Sequence, residues 1–279
     1  MTGHAFAIVD VFTDTALSGN QLGVFPDGSE IDESYYLPLA KALGFAETVF
    51  VLPADDAGTA RIRIFTPATE LPFAGHPVLG TAIYLGARAG ADNVSLETGA
   101  GLIPLTIEGS TTGRMTQPVP EWEAFAEATE LLAALGVSKS ALPVEEYALG
   151  PRPIFVTLES PEEVAALHPD MDRLARFPNA VSCIAADGDH WKARVFVPGH
   201  GIPEDPATGS AAGPMALHLA RHGRIRFGEE IEIHQGAEIG RRSVLFATAF
   251  GTADAVERIE VKGNAVVVAE GRFAALPQP

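Results

Sequence analysis

The sequence predicts an α/β fold made of two homologous halves, each a roll in which a curled, mostly antiparallel sheet surrounds a short buried helix. Residues 63–67 (RIFTP) and 194–198 (RVFVP) both have the pattern of a strand that ends at a proline. Each is followed by a polar segment, by the pair Gly75-His76 or Gly209-Ser210, then by an apolar helix, and then by a strand-like run at residues 94–99 or 230–236. The same order of parts in both halves indicates an internal duplication.

The two central helices are predicted at residues 77–89 and 211–222, and they end near Gly90 and Gly223. Both are apolar nearly all round, so they must be buried. A short buried helix among many short strands favours a sheet that curls around it over a flat sheet flanked by helices.

A third helix is predicted at residues 32–43, with Asp32 as its N-cap and Gly44 as its stop. Pro38 should kink this helix or delay its start. The prolines of residues 117–122 (QPVPEW) mark a stiff linker between an N-terminal roll over 1–117 and a C-terminal roll over 126–261.

Composition narrows the possible partners. The 279 residues, 47% of them hydrophobic, suffice for one large or two medium cores. A net charge of −17 would repel nucleic acid and anionic lipid, so we expect neither as a partner. The N-terminal residues have no secretory pattern and no stretch reaches membrane-spanning length, so we expect a cytoplasmic protein. Cys183 is the single cysteine, which excludes an internal disulfide and a zinc site built on several thiolates.

Two segments indicate anion binding. Residues 73–77 (FAGHP) and 204–211 (EDPATGSA) each lead into one of the central helices. Glycine lets the backbone approach a ligand, and a helix start offers unpaired N–H groups at the positive end of the dipole. We expect the two segments to face one shared pocket for a small anion.

Glu47 is the candidate acid/base residue, because it lies among apolar neighbours just before a strand-like run. Burial would raise the pKa of its carboxyl towards neutrality, where one group can both take and return a proton. From the local sequence alone, a solvated loop glutamate is the simpler interpretation.

His76, Asp205 and Ser210 are the other candidate site residues. At the first turn of a buried helix the dipole would disfavour the cationic form of His76, which leaves a neutral imidazole. Asp205 and Ser210 also fit an ordinary role at a helix start, where their oxygens would satisfy backbone amides. Each of these residues alone also fits a structural role. A functional site is favoured only because Glu47, His76, Asp205 and Ser210 occur together.

The sequence leaves three other functions open. Ser210, His76 and Asp205 have the residue types of a serine hydrolase triad, but the nucleophile elbow pattern G-x-S-x-G is absent around Ser210. His218 and His222 lie four apart on a helix, as in a metal site, but the sequence indicates no third ligand. A non-catalytic binding protein with the same pocket is the third alternative.

Residues 70–77 (ELPFAGHP) and 204–213 (EDPATGSAAG) resemble the PhzF phenazine-biosynthesis family. The resemblance extends over nearly the whole chain, including residues 9–12 (VDVF), the pair at 19–20 (GN) and residues 218–223 (HLARHG). It implies a fold like diaminopimelate epimerase, with the active site in the cleft between two rolls and a homodimer as the usual assembly. It also implies that the last strands, about 262–279, complete the N-terminal roll.

The type activity of that family is isomerisation of trans-2,3-dihydro-3-hydroxyanthranilate by a proton shift, without metal or organic cofactor. By this resemblance Glu47 is the acid/base residue, and His76 and Asp205 hold the amino and hydroxyl groups of the substrate. The groups that would bind the substrate carboxylate are the Ser210 hydroxyl and the backbone amides of Gly75, His76 and Gly209.

Some positions differ from the phenazine enzyme, among them Gln21, Ala46 and His200, so a related cyclic amino acid or enol is an alternative substrate. Racemisation by two thiols, as in sister enzymes of this fold, is excluded because Cys183 stands alone. We expect Cys183 to be a buried structural residue.

Overall fold

The structure is a computed structural model that describes residues 3–149, 152–274 and 276. It divides the chain into two compact units. Unit 1 comprises Met1–Thr116 and Lys262–Pro279, and unit 2 comprises Gln117–Val261. Within the described residues, no helix combines the length and the apolar character needed to cross a membrane.

Unit 1 contains a sheet and two α-helices. Its strands are β1 (Gly3–Val11), β2 (Asn20–Phe25), β3 (Glu47–Leu52), β4 (Ala60–Phe65), β5 (Glu70–Leu71), β6 (Asn93–Thr98), β7 (Gly101–Glu108) and β8 (Thr112–Gln117). Its helices are α1 (Tyr36–Leu43) and α2 (Gly75–Ala89). The pairs β2 with β3 and β4 with β6 are parallel, whereas β1 with β2, β3 with β4, β4 with β5, β6 with β7 and β7 with β8 are antiparallel.

Helix α2 is the buried centre of unit 1. It contacts β1, β2, β3, β6 and β7, and eleven of its fifteen residues are buried. The close fit depends on Gly80, because a Cβ there would lie 2.5 Å from Val11 Cγ2 and 2.9 Å from Leu22 Cδ2. Helix α1 contributes to a second cluster, in which the rings of Phe25, Phe50 and Tyr36 stack in sequence.

Unit 2 contains a second set of strands and helices. Its strands are β9 (Glu121–Ala124), β10 (Glu145–Ala148), β11 (Ile154–Thr157), β12 (Val181–Asp187), β13 (His190–Val197), β14 (Ile202–Asp205), β15 (Glu230–Gln235) and β16 (Ser243–Gly251). Its helices are α3 (Ala128–Leu135), α4 (Pro161–Ala165), α5 (Met171–Leu174) and α6 (Gly209–Arg221). Strand β17 (Val256–Ala274) begins in unit 2 and continues into unit 1, where it pairs with β1.

The two units repeat one arrangement of seven elements. In unit 1, β2 and β3 are parallel, β4 is antiparallel to β3, and β5 and α2 precede β6, which returns parallel to β4. In unit 2, β11, β12, β13, β14, α6 and β15 follow the same order with the same strand directions, and β16 then matches β7. The prediction of two homologous rolls is therefore confirmed.

Helix α6 occupies the place in unit 2 that α2 has in unit 1. All its residues from Gly209 to Ala220 are buried, and it contacts β15 and β16. A separate apolar cluster joins residues of α3, α4 and α5 to β11, β12 and β13, and it includes Cys183. Burial raises the pKa of the Cys183 thiol to about 12, so Cys183 is a structural residue, as expected.

Three predicted helix starts differ from the structure. Helices α2 and α6 begin at Gly75 and Gly209, two residues earlier than predicted. In α2 this is possible because Pro77 fits within the first turn, where its missing N–H has no carbonyl to bond. Helix α1 starts at Tyr36 after a 3₁₀ turn, Glu33–Tyr35, so Pro38 lies in the first turn. The proline segment predicted as a linker leads directly into β9, which pairs with β10.

We expect Gly80→Ala to destabilise the protein by about 1–2 kcal/mol, because overpacking strain of about 1–3 kcal/mol exceeds the gain in helix propensity of about 1 kcal/mol. The control is Ala87→Gly on the exposed side of α2, which should cost about 1 kcal/mol through propensity alone. Urea unfolding of the three proteins measures both changes. Stabilisation by Gly80→Ala would contradict the close packing of α2 against β1.

Candidate active site

Glu47 and His76 are in contact inside unit 1. Glu47 is the first residue of β3, and His76 is the second residue of α2. Glu47 Oε2 lies 3.2 Å from His76 Nε2, and the two side chains are only 14% and 6% exposed. The simpler interpretation of Glu47 as a solvated loop residue is therefore wrong.

The imidazole of His76 is neutral. Burial lowers its pKa to about 3, and a hydrogen bond with the backbone of Gln21 only partly opposes this effect. The expectation of a neutral ring is met, but the main cause is burial within unit 1 rather than the dipole of α2. The second ring nitrogen, Nδ1, lies 3.3 Å from the side-chain nitrogen Nδ2 of Asn20.

The backbone N–H groups in the first turn of α2 have no capping side chain. Its N-cap residue, Ala74, is within the described part of the chain and has no side chain that could accept a hydrogen bond from the helix. Pro77 supplies no N–H, so the amides of Gly75 and His76 are the first donors of this helix. Both residues are buried, in the immediate neighbourhood of Glu47.

Asp205 belongs to a hydrogen-bonded group in unit 2. It is the last residue of β14, and its Oδ2 accepts a hydrogen bond of 2.6 Å from Thr208 Oγ1. Gln235 Nε2 donates to the Asp205 carbonyl at 2.7 Å and to Thr208 Oγ1 at 3.0 Å. Thr208 is the N-cap residue of α6, but its hydroxyl binds Asp205 and makes no capping bond to the helix.

Gly209 and Ser210 open α6, and both are buried. Gln117 Nε2 donates to the Gly209 carbonyl at 2.9 Å, which fixes the first turn of the helix. Ser210 is 9% exposed. The Thr208 hydroxyl binds Asp205 instead of capping the helix. The first backbone N–H groups of α6 therefore lack a capping side chain, like those of α2.

A duplicated ion pair precedes each of these helices. In unit 1, Arg63 binds both oxygens of Glu70 at 2.8 Å, and in unit 2, Arg194 binds both oxygens of Glu204 at 3.0 and 2.7 Å. Each glutamate lies five positions before the glycine that begins the helix. The unit 2 pair is buried, and Arg194 also donates to the carbonyls of Val164, Ala165 and Leu167. The paired strands β4 with β5 and β13 with β14 are thus fixed next to the helix starts.

The structure supplies the third ligand that the sequence did not indicate for His218 and His222. Glu145 Oε2 lies 3.2 Å from His218 Nδ1 and 3.0 Å from His222 Nε2. The same oxygen accepts hydrogen bonds from Tyr147 at 2.8 Å and from Arg221 at 2.7 Å. Burial alone would raise the pKa of Glu145, but the bonds from its four partners hold it well below its usual range. An oxygen saturated by donors, one of them a guanidinium, fits a structural ion cluster better than a metal centre.

Sequence reasoning missed Asn20, Thr208 and Gln235 as partners of the site residues. The only signal for Asn20 was its place in the family resemblance. The side chain of His200, a position that differs from the phenazine enzyme, lies outside the described part of the structure.

Comparison with known proteins gives the family. The family model of phenazine biosynthesis-like proteins, PhzC-PhzF, matches residues 9–271. The chain belongs to the PhzF family. A trans-2,3-dihydro-3-hydroxyanthranilate isomerase of Pseudomonas aeruginosa is 48% identical over 274 residues, which cover 96% of this chain and 99% of that protein.

Solved structures agree with this assignment to the PhzF family. The crystal structure of a Bacillus anthracis PhzF family protein has a TM-score of 0.88 and 26% identity, covering 99% of this chain and all of that one. A hydroxyproline epimerase of Agrobacterium vitis has a TM-score of 0.63 at 14% identity, covering 97% of this chain and 90% of that one. Each unit thus has the roll of the diaminopimelate epimerase-like fold. The chain is an isomerase, and these relatives give no support to the serine hydrolase alternative.

The neutral state of His76 links stability to pH. The folded state resists protonation of His76 down to about pH 3, whereas an unfolded chain binds this proton near pH 6.5. The contribution of His76 to the free energy of unfolding therefore falls as the pH drops from about 6.5 towards 3.

We expect His76→Gln to flatten the loss of stability between about pH 6.5 and 4 relative to the parent protein. His168→Gln, at an exposed position, is the control and should leave the curve unchanged. Urea unfolding at a series of pH values measures the difference. Parallel curves for His76→Gln and the parent would show that His76 is not held neutral.

Proposed function

We propose that this protein isomerises trans-2,3-dihydro-3-hydroxyanthranilate in phenazine biosynthesis, with Glu47 as the acid/base residue. The observation that carries the proposal is the buried contact between Glu47 and a neutral His76 at the start of α2. The relatives of 47–48% identity that bear this activity in their names support the substrate.

The reaction is a proton shift, so one carboxyl group is sufficient. The Glu47 carboxylate removes the proton from the ring carbon that bears the hydroxyl, and the electron pair moves through the conjugated system. The protonated Glu47 then returns the proton to the far end of that system. The enol formed at the hydroxyl-bearing carbon becomes a ketone, and no atom is gained or lost overall.

The substrate is anchored by its carboxylate. We assign this group to the amides of Gly75, His76 and Gly209 and to the hydroxyl of Ser210, all of which lie at helix starts. His76 and Asp205 hold the amino and hydroxyl groups. Fixing the ring in this way would hold the reacting carbon against Glu47.

We further propose a cytoplasmic homodimer that binds neither nucleic acid nor membrane. The net charge of −17 supports the last two points, because both of those surfaces are anionic. Gln21 bonds to His76 through its backbone, so the difference from the phenazine enzyme at Gln21 lies beside the reacting groups. A related cyclic amino acid is therefore the second candidate substrate.

We expect Glu47→Gln to lower kcat for trans-2,3-dihydro-3-hydroxyanthranilate by about 10²- to 10⁴-fold, because the amide cannot take up a proton. Binding of 3-hydroxyanthranilate, a planar ring with the same carboxylate, should change by less than about threefold. Absorbance assays measure turnover, and calorimetry measures binding.

Glu30→Gln is the matched control, because Glu30 is an exposed carboxylate of the same unit. It should leave turnover unchanged. Undiminished turnover by Glu47→Gln would reject Glu47 as the acid/base residue. Absence of turnover in the parent protein would reject the substrate.

A further inference from the structure

Three polar residues of unit 2 are joined by hydrogen bonds at the start of α6. They are Asp205, Thr208 and Gln235, and we call them the polar set. Asp205 ends β14, Thr208 is the N-cap residue of α6, and Gln235 ends β15. Thr208 and Gln235 are only 9% and 4% exposed, so their hydrogen bonds are shielded from water.

The backbone determines the orientation of the Gln235 side-chain amide. The backbone N–H of Thr208, which can only donate, bonds to Gln235 Oε1 at 3.3 Å. The carbonyl of Asp205, which can only accept, receives a bond of 2.7 Å from Gln235 Nε2. An amide turned over would place donor against donor and acceptor against acceptor, so a single orientation satisfies both backbone groups.

This orientation determines the direction of the Thr208 hydroxyl. Gln235 Nε2 also donates to Thr208 Oγ1 at 3.0 Å, so the hydroxyl oxygen acts as an acceptor on that side. The hydroxyl proton therefore goes to Asp205 Oδ2, which lies 2.6 Å away, a length typical of a hydroxyl that donates to a carboxylate. Gln235 thus acts through Thr208 on the carboxylate of Asp205.

Unit 1 shows that the polar set is not needed for the fold. At the matching places in β5, at the N-cap of α2 and at the end of β6, unit 1 has Leu71, Ala74 and Thr98. Leu71 and Ala74 have no hydrogen-bonding side chain, and the Thr98 hydroxyl donates to the carbonyl of Gly101 in its own turn. Because unit 1 forms the same roll without the polar set, the set serves the candidate site rather than the architecture.

We propose that Gln235 and Thr208 are positioning residues that orient the Asp205 carboxylate to accept a hydrogen bond from an amino or hydroxyl group of the substrate. The role of Asp205 in substrate binding rests on the proposed function. Gln235 fixes the Thr208 hydroxyl, and that hydroxyl fixes one oxygen of Asp205. Since the carboxylate is oriented before the substrate arrives, less rotational freedom is lost on binding.

NMR tests the link between Gln235 and Thr208 without any ligand, because three-bond couplings to the Thr208 methyl carbon report its χ1 rotamer. We expect one rotamer in the parent protein and a mixture in Gln235→Met, which has a side chain of similar length without its hydrogen bonds. Gln235→Glu, which keeps an acceptor but loses both donated bonds, is the second variant and should also give a mixture. One unchanged rotamer in both variants would overturn the role of Gln235.

Binding of 3-hydroxyanthranilate, measured by calorimetry, tests the link between Thr208 and Asp205. We expect Thr208→Val, which replaces the hydroxyl with a methyl group, to weaken binding by about 10- to 100-fold, as for a lost hydrogen bond to a charged group. Thr208→Ser keeps the hydroxyl and should bind within about threefold of the parent protein.

Thr157→Val is the matched control. Thr157 is a buried threonine of unit 2, and its hydroxyl has no hydrogen-bond partner among the described residues. This variant should bind 3-hydroxyanthranilate as the parent protein does. Equal binding by Thr208→Val and the parent protein, or equal weakening in Thr208→Val and Thr208→Ser, would overturn the proposal.

Turnover separates this proposal from the proposed function. In Thr208→Val we expect KM for trans-2,3-dihydro-3-hydroxyanthranilate to rise by about 10-fold or more and kcat to fall by less than about threefold, because Asp205 binds the substrate while Glu47 transfers the proton. A lower kcat with an unchanged KM would contradict the positioning role. A parent protein that binds 3-hydroxyanthranilate but turns over no substrate would reject the proposed function and leave the rotamer and binding results standing.

Discussion

Burial of the contact between Glu47 and His76 determines the chemistry available in unit 1. A carboxyl group in water is a weak base that is already ionised at neutral pH. Glu47 begins β3 and packs against the imidazole of His76, which stays neutral down to about pH 3. The ring therefore adds no charge beside the carboxyl group. A group in this place can hold a proton between two steps of one reaction.

The duplicated architecture explains how the neighbouring groups are placed. Each unit carries an arginine to glutamate pair on adjacent strands, followed after five residues by the glycine of a buried helix. The pairs hold the short strands β5 and β14, and therefore the segments that lead to the helix starts. The ion pairs are the same in both units, but the residues at the helix starts differ. Unit 1 places a histidine in the first turn, whereas unit 2 places Asp205 before its helix and binds it to Thr208.

The fold was largely predictable because its signals are local and occur twice. Strands ending at proline, glycines at helix ends and apolar helices recur in the same order, and the structure repeats them with the same strand directions. The partners of the site residues were not predictable, because they are distant in sequence. Asn20 is 56 residues from His76, and Glu145 is 73 residues from His218. Such contacts depend on strand register, which local pattern does not specify.

The transfer of a proton by Glu47 is tested most directly by the reaction in heavy water, followed by mass detection of deuterium in product and recovered substrate. The account predicts that the parent protein forms product with one deuteron on the newly protonated ring carbon, and that Glu47→Gln leaves the substrate without label over the same time. Incorporation of deuterium by Glu47→Gln at the rate of the parent protein would contradict the account.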